Sequence, residues 1–423
     1  MTGDLLIREG KVVTPRGVSD TDIHIRDGRI LETGPHLDCE GARVIDAAGL
    51  LVSAGFTDIH VHFREPGFTA KETIRSGSLA AAAGGYTTVC AMPNLDPVPD
   101  SPEHLAVEQA AIDRNAAVEV LPYCSITKGR KGLELVDMAA LKGRCCAFSD
   151  DGSGVQREGM MREAMALAAR EDCILAAHCE DESLLHGGYI HDGRYAREHG
   201  HKGICSESEW GPIARDLALC AETGCRYHVC HVSTAESVAL IRRAKAAGVR
   251  VTCETAPHYL VLCEDDLQED GRWKMNPPLR SAADRKALIE GLRDGTIDAI
   301  ATDHAPHTAE EKARGLAGSA MGVVGLETAF PVLYTALVRT GRIPLERLIE
   351  ALTVGPRRTF RLDGGLRTGA AADLTLIDLT EEFAIDPARF LSMGRATPFE
   401  GMRVHGRIRM TLKDGNIVYE YKD

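Results

Sequence analysis

The stretch "GFTDIHVHFREPG", residues 55–67, places His60, His62 and Arg64 at the end of an apolar run. Alternation along a strand points residues i and i+2 to one face, so both imidazole rings should lie on the same side. Burying such polar groups together is costly unless something charged sits among them. The stretch therefore predicts a buried strand that ends at a site for a metal ion or an anion.

Downstream of this stretch, short apolar runs alternate with Ala-rich helical segments such as GMMREAMALAARE and TAESVALIRRAKAAG. Buried apolar strands that alternate with amphipathic helices indicate βαβ units and a parallel sheet. With the opening stretch, about eight such strands span about 310 residues, which suits an eight-stranded (β/α) barrel. A doubly wound open sheet is the alternative fold. The other predicted strands are TTVCAM, AVEVLPY, RCCAFS, CILAAH, RYHVCHVS, RVTCET and IDAIATD.

Both ends of the chain have a different pattern from the middle. The first 50 residues alternate with period two and contain Asp-Gly and Glu-Gly turns, which is typical of β-hairpins. The segments ADLTLIDL and RIRMTLKDGNIVYEY repeat this pattern near the C-terminus. We therefore predict that residues 1–51 and 366–423 together form one small β-domain, and that residues 52–365 form the barrel.

Composition and charge argue against several classes of function. Asp and Glu total 62 against 49 Lys and Arg, and this net charge of −13 argues against general nucleic-acid binding. The longest apolar stretches are broken by glycine and do not suit a membrane span, and we recognise no secretory leader. The 13 cysteines show no paired CxxC spacing, so we expect reduced thiols in a cytoplasmic protein.

Polar side chains close several of the predicted strands. Because the chemistry of such a barrel gathers at the carboxyl ends of its strands, we expect these side chains to converge on one mouth. Imidazoles with carboxylates suit divalent zinc, with manganese or cobalt tolerated. So many ligands fit two ions that share a bridging carboxylate and a bridging hydroxide. The strand-end residues are His60, His62, the adjacent pair Asp150 and Asp151, His178, His231 and Asp303.

Seven motifs occur in one order along nearly the whole chain, namely DIHVHFREPG, AMPN, FSDDG, HCED, CHVST, NPPLR and ATDHAPH. Together they resemble the class I type of dihydroorotases in the amidohydrolase superfamily. The Arg after the His-x-His pair, with the last two motifs, is more specific than the pair alone. The resemblance implies an α/β fold, with a distorted (β/α)8 TIM barrel and a small β-sandwich from both termini. It also implies the reversible cyclisation of N-carbamoyl-L-aspartate to L-dihydroorotate in de novo pyrimidine (UMP) biosynthesis.

The resemblance implies a role for each strand-end residue. The implied metal ligands are His60, His62 and Asp303 for the more buried ion, His178 and His231 for the second, and Asp151 as the bridge. Asp151 is favoured over Asp150 because the family places the second Asp of DDG on the metal, whereas relatives such as hydantoinases use a carboxylated lysine that this strand lacks. The cofactor is then Zn²⁺, one or two ions per chain, with Mn²⁺ or Co²⁺ as alternatives. The implied substrate-binding residues are His62, Arg64, Asn94, Asn276, His307, Met321 and Gly322.

We hypothesise that a metal-bound hydroxide attacks the ring carbonyl while Asp303 takes its proton and passes it to the departing amide nitrogen. Arg64 supplies a planar cation for the substrate carboxylate, which Asn94 and His307 support, and Asn276 recognises the ring amides. Turn formation beside proline is a competing explanation for both asparagines. No role follows for His258, and we interpret other histidines as surface or core residues, including His104, His186, His191, His228 and His405.

Other interpretations stay open. A hydantoinase, dihydropyrimidinase or allantoinase is the nearest alternative, although Arg64 and the missing lysine argue against it. A non-catalytic scaffold would predict gaps among the ligands, and this sequence has none. Residues 305–322 form either a mobile lid over the substrate or a solvated loop. Dihydroorotases of this type often dimerise and associate with aspartate transcarbamoylase, so the resemblance implies a homodimer and this partner.

Overall fold

A computed structural model describes residues 4–422 of the protein. In chain order the strands are β1 (Leu5–Thr14), β2 (Gly17–Arg26), β3 (Arg29–Gly34), β4 (Arg43–Asp46), β5 (Leu51–Ala54), β6 (Phe56–Val61), β7 (Tyr86–Ala91), β8 (Glu119–Pro122), β9 (Ile174–Ala177), β10 (Ile190–His191), β11 (Gly203–Ile204), β12 (Arg226–Val229), β13 (Val251–Thr255), β14 (Ala299–Ile300), β15 (Leu374–Ala384), β16 (Arg403–Lys413) and β17 (Asn416–Glu420). The α-helices are α1 (Ile74–Ala83), α2 (Pro102–Asn115), α3 (Met138–Leu141), α4 (Glu158–Glu171), α5 (Arg194–His199), α6 (Glu207–Thr223), α7 (Ala235–Ala246), α8 (Pro257–Val261), α9 (Ala282–Arg293), α10 (Ala309–Lys312), α11 (Gly315–Gly318), α12 (Ala329–Leu333), α13 (Leu345–Leu352) and α14 (Val354–Phe360).

The middle of the chain closes into a barrel of parallel strands. β6, β7 and β8 pair in parallel, and so do β9, β12, β13 and β14 in the order β14-β13-β12-β9. Parallel bridges from Phe148 to Cys124 and to Leu175 join the two groups on one side, and the bridge between Val61 and His304 joins them on the other. The barrel prediction is confirmed. The predicted strand RCCAFS forms isolated bridges in place of a continuous strand, and this distorts the barrel.

Helices follow the strands and cover the barrel. Several begin at a Ser or Thr whose hydroxyl accepts a hydrogen bond from the first helical turn, as at Thr73 before α1, Thr234 before α7 and Ser281 before α9. These caps fix the point at which each loop above the barrel ends. The loops between strand and helix are therefore held at the carboxyl ends of the strands, where a barrel carries its chemistry.

Strands from both chain ends form a second, smaller β-structure. The sheet runs in the order β17-β16-β15-β5-β1-β2-β3, and β4 also pairs with β1. Its own apolar cluster includes Ile7, Ile23, Val52, Leu374 and Leu412, which come from opposite ends of the sequence. We retain residues 51/52 and 365/366 as proposed domain boundaries, although residues 52–54 of β5 still pair with β15 in this sheet. Within residues 4–422, the structure has no helix of the length and apolarity that a membrane span requires.

Candidate active site

The predicted strand-end residues meet at the carboxyl mouth of the barrel. His60 lies near the end of β6, His178 directly follows β9, His231 lies two residues beyond β12, and Asp303 lies beyond β14. All are buried, as is Asp151, which follows the bridge at Phe148. A cavity of about 250 Å³ opens above them. It is lined by His62, Arg64, Asn94, Asp151, Gly152, His178, His231, Asn276, Asp303, Ala305, His307, Met321 and Gly322.

Two groups of side chains converge below this cavity. In the first, Asp303 Oδ1 lies 3.1 Å from His62 Nε2 and 3.6 Å from His60 Nε2. In the second, Asp151 Oδ1 lies 3.3 Å from His60 Nε2 and 3.6 Å from His231 Nε2. Potential ligand atoms of His60, His62 and Asp303 lie within 4.8 Å of one another, and so do those of His60, Asp151 and His231.

His178 completes the second group from the end of β9, the strand that pairs with β12. Its Nδ1 is 2.9 Å from His231 Nε2 and 3.7 Å from Asp151 Oδ1. The structure therefore brings together every residue that the sequence predicts as a metal ligand. Their binding of metal stays a prediction.

The potential ligand atoms are arranged as a bound cation would require. His60 Nδ1 donates to Glu254 Oε1 at 2.7 Å and His62 Nδ1 donates to Asn94 Oδ1 at 2.8 Å. The Nε2 lone pair of each ring is therefore the one left to bind a cation. Metal-binding histidines usually carry such an outer hydrogen bond. Within residues 4–422, His60 Nε2 and Asp151 Oδ1 are buried without a hydrogen-bond partner. Unpartnered buried atoms of this kind are what a cation would satisfy.

The electrostatics of the cluster also favour a positive charge at its centre. Burial alone would raise the pKa of the Asp151 carboxyl, but His60, His178 and His231 hold it well below its usual range. Burial alone would lower the pKa of His60, but the carboxylates of Asp151 and Glu254 raise it well above its usual range. The buried acids are therefore ionised and attract either a proton or a metal cation to His60.

Asp150 and Asp151 face different partners. Asp150 Oδ1 accepts the backbone N–H groups of Ile126 at 2.8 Å and Thr127 at 3.1 Å, and its other oxygen accepts the Thr127 hydroxyl. Asp150 thus anchors the loop after β8, while Asp151 faces the imidazoles. This arrangement favours Asp151 as the bridging carboxylate.

Arg64 is a partly buried cation at the edge of the cavity. Its Nε donates to Pro306 O at 3.3 Å and its Nη2 lies 3.5 Å from His307 Nε2. Burial lowers the pKa of the guanidinium to about 10. Arg64 forms no ion pair with any residue in the described range 4–422. A guanidinium buried without a carboxylate is costly, so its surroundings favour an anionic ligand.

Three of these residues adopt left-handed backbone conformations. The φ angles are 60° at Arg64, 34° at His231 and 50° at Asp303. Non-glycine residues seldom adopt positive φ, and such strain is concentrated at functional sites. Each strand end therefore turns sharply at the residue whose side chain enters the site.

Residues 305–322 pack against the cavity rather than projecting into solvent. Lys312 in α10 is buried, and its ammonium donates to Lys274 O at 3.0 Å, Ala320 O at 2.8 Å and Gly322 O at 2.7 Å. His307 Nε2 donates to Met321 O at 2.8 Å. The segment is thus folded and tied to the barrel. The mobility of this segment as a lid stays a prediction.

Sequence reasoning missed the residues that support the predicted ligands. Glu254, in the strand RVTCET, contacts His60 and lies 3.2 Å from His228 Nε2. Glu180, in the motif HCED, contacts His178. His258, for which the sequence suggested no role, is buried with an unpartnered Nε2 within residues 4–422, and burial lowers its pKa to about 4. The available signals were the position of Glu254 near a strand end and that of Glu180 within the motif HCED.

A closed parallel barrel with imidazoles and carboxylates at the carboxyl ends of its strands defines the metal-dependent amidohydrolases. Two family profiles match, one described as Dihydro-orotase-like over residues 49–237 and one as Amidohydrolase family over residues 220–419. A curated relative named dihydroorotase from Geobacillus sp. (strain WCH70) is 52% identical over 98% of this chain and 99% of its own. The chain therefore belongs to the dihydroorotase family.

Further relatives agree with this assignment. A protein named dihydroorotase from Shouchella clausii (strain KSM-K16) is 55% identical over 94% of both chains. Among solved structures, the L-hydantoinase (dihydropyrimidinase) from Arthrobacter aurescens has a TM-score of 0.90 and 28% identity, covering 100% of this chain and 97% of its own. The D-hydantoinase from Bacillus sp. AR9 has a TM-score of 0.87 at 23% identity, covering 98% and 95%, which shows the shared fold alone.

Proposed function

We propose that this protein is a cyclic amide hydrolase that interconverts L-dihydroorotate and N-carbamoyl-L-aspartate reversibly in pyrimidine biosynthesis. The observation that carries the choice of substrate is the partly buried Arg64, which has no ion pair within residues 4–422 and borders the cavity. Hydantoin and dihydrouracil carry no carboxylate, whereas dihydroorotate does. A substrate carboxylate would neutralise the Arg64 guanidinium through paired charge-assisted hydrogen bonds.

We propose that one or two zinc ions occupy the site, with manganese or cobalt as alternatives. The protein ligands would be His60, His62, Asp151, His178, His231 and Asp303. When bound, such ions lower the pKa of a water to about 7 and so supply a nucleophile at neutral pH. Elemental analysis of the purified protein would test the proposal, and a protein without stoichiometric metal that still turns over substrate would contradict it.

The remaining side chains bind and orient the substrate. Asn94 is held by its Oδ1 to His62 Nδ1, so its amide N–H group is left to donate to a ligand carboxylate. His307 lies beside Arg64, and burial and the cations Arg64 and Lys71 lower its pKa to about 4. The neutral imidazole adds no positive charge beside the guanidinium, and its single N–H, which donates to Met321 O, would turn to the same carboxylate when substrate binds. The Met321–Gly322 backbone would close on the ring.

Asp303 is the proposed proton carrier. Burial alone would raise the pKa of its carboxyl, but the neighbouring imidazoles of His62 and His60 keep it below its usual range. Asp303 is therefore ionised and can take a proton from the attacking water. It would then return that proton to the departing amide nitrogen, acting as a general base and then as a general acid.

Steady-state assays with dihydroorotate, hydantoin, dihydrouracil and allantoin would test the proposed substrate. We expect kcat/KM to be highest for dihydroorotate by several orders of magnitude, because the other rings leave Arg64 without an anion. The structural likeness to L-hydantoinase makes hydantoin the critical comparison. Equal or higher kcat/KM with hydantoin would overturn the assignment.

We further propose a cytoplasmic homodimer that associates with aspartate transcarbamoylase. The 13 cysteines are all free thiols, in keeping with a reducing compartment. Light scattering of the purified protein, alone and mixed with the transcarbamoylase, would test both associations. A monomer that does not bind the transcarbamoylase would contradict them.

A further inference from the structure

Glu180 is a carboxylate that links the two halves of the site. It lies two residues after His178, and its side chain is 13% exposed. One oxygen, Oε1, accepts a hydrogen bond from Asn276 Nδ2 at 3.0 Å. The other oxygen, Oε2, lies 3.4 Å from His178 Nε2. Glu180 therefore touches both a proposed metal ligand and a proposed substrate-binding residue.

The contact with Asn276 fixes which end of that amide is free. A side-chain amide has one end that donates and one that accepts, whereas an ionised carboxylate only accepts. Glu180 must therefore take the Nδ2 end of Asn276. Asn276 lines the cavity, and its Oδ1 is buried without a hydrogen-bond partner in residues 4–422. The amide thus turns its acceptor, Oδ1, toward a ligand, while one of its two N–H groups is taken by Glu180.

An unpartnered buried acceptor makes the cavity selective. A ligand that brings an N–H group satisfies Asn276 Oδ1, while a ligand without one leaves the oxygen desolvated and unpaired. A site that hydrogen-bonds a ligand group rejects an analogue lacking that group more strongly than an apolar pocket rejects an analogue of a different size. We infer that Glu180 is a specificity-determining positioning residue, which orients Asn276 so that the cavity accepts cyclic amides with a ring N–H at this point. This inference rests on the proposed function.

The same carboxylate also orients a metal ligand. With Nε2 of His178 held by Glu180, Nδ1 of the ring faces Asp151 and His231. A change at Glu180 can therefore affect metal binding as well as ring recognition. The test must separate the two effects, and a ratio between two ligands does so because a change in metal binding affects both ligands alike.

The experiment compares L-dihydroorotate with its two ring-N-methyl derivatives. For wild type, E180Q, N276A and the double variant E180Q/N276A, kcat/KM is measured at saturating zinc, and dissociation constants are measured by calorimetry on metal-free protein. We expect wild type to reject one N-methyl derivative by at least about tenfold, the effect of losing one buried hydrogen bond. N276A should abolish most of that ratio, E180Q should lower it because its amide can pair with either end of Asn276, and the double variant should lose no more than N276A alone.

Glu182→Gln is the matched control. Glu182 is exposed, lies in the same loop and gives the same change of charge. It should retain the wild-type ratio. Bound metal, measured by elemental analysis, and the melting temperature of each variant show whether the site is intact, and N276A tests the acceptor even if E180Q does not fold.

The outcomes distinguish this inference from the proposed function. If wild type fails to hydrolyse dihydroorotate, the proposed function itself is wrong. If wild type is active and N276A loses the ratio while E180Q keeps it, Glu180 does not set the orientation of Asn276. If N276A also keeps the ratio, Asn276 Oδ1 does not read the ring N–H. Either of the last two results would overturn the inference and leave the proposed function standing.

Discussion

Replacing Arg64 by methionine removes the cation that we assign to the substrate carboxylate and keeps an unbranched side chain. Truncating one partner of a buried, hydrogen-bonded charge pair costs about 2–5 kcal/mol. KM for dihydroorotate should therefore rise about 30- to 5000-fold. The smaller increase in KM is expected if His307 and Asn94 still bind the substrate carboxylate. R64K keeps the charge but loses the planar fork, so its KM should lie between those of wild type and R64M.

The assay compares ligands with and without a carboxylate. Dissociation constants of dihydroorotate and dihydrouracil are measured for wild type, R64K and R64M, together with kcat and KM for dihydroorotate. Only dihydroorotate binding should weaken, because dihydrouracil offers no anion to Arg64. The protein should not become less stable, because Arg64 forms no ion pair within residues 4–422 and a partly buried cation is removed. An equal loss of affinity for both rings would show that Arg64 shapes the cavity and does not bind the carboxylate.

Three further predictions concern other parts of the protein. D303N should lower kcat about 10²- to 10⁴-fold with little change in KM, since it removes the proposed proton carrier; near-normal turnover in stopped-flow assays would refute that role. K312M should raise KM about tenfold, because the buried ammonium holds Gly322 O, whereas K274M, whose amine holds Ala317 O, should lower the melting temperature and leave KM unchanged. Burial raises the pKa of Glu327 to about 7. The folded protein therefore holds this proton more tightly than the unfolded chain does. The resulting contribution to the free energy of unfolding is fully present below about pH 4.5 and is lost as pH rises through 7. The free energy of unfolding of E327Q, relative to that of wild type, should therefore rise by up to about 3 kcal/mol between pH 4.5 and 7. Melting temperatures of the two proteins that differ by the same amount at every pH in that range would contradict the prediction.

Much of the barrel could be predicted from local patterns. The strand ending in His60 and His62 and most later strands are short apolar runs, because both faces of a parallel barrel strand are buried. The fourth run, RCCAFS, is the least regular in the structure and contributes only isolated bridges, at Cys145 and Phe148. Apolar composition alone does not distinguish a continuous strand from such isolated bridges, because that difference depends on the neighbouring strands.

The supporting residues of the site could not be predicted in the same way. Glu254 is 194 positions from His60, and Asn276 is 96 positions from Glu180. A carboxylate that accepts from a distant imidazole or amide has no local sequence pattern, since its partner is chosen by the fold. The metal-ligand candidates could be predicted from the sequence because each closes an apolar run. His258 also closes such a run, which shows that this position does not by itself define a role.

The shared terminal sheet constrains how the protein can be made. β5 pairs with β1 and with β15, and β15 begins only at Leu374. A chain still on the ribosome would therefore have completed its barrel while one edge of β5 had no neighbour. Exposed strand edges promote association between chains, so the interval before β15 emerges is the stage at which the newly made protein most needs a chaperone.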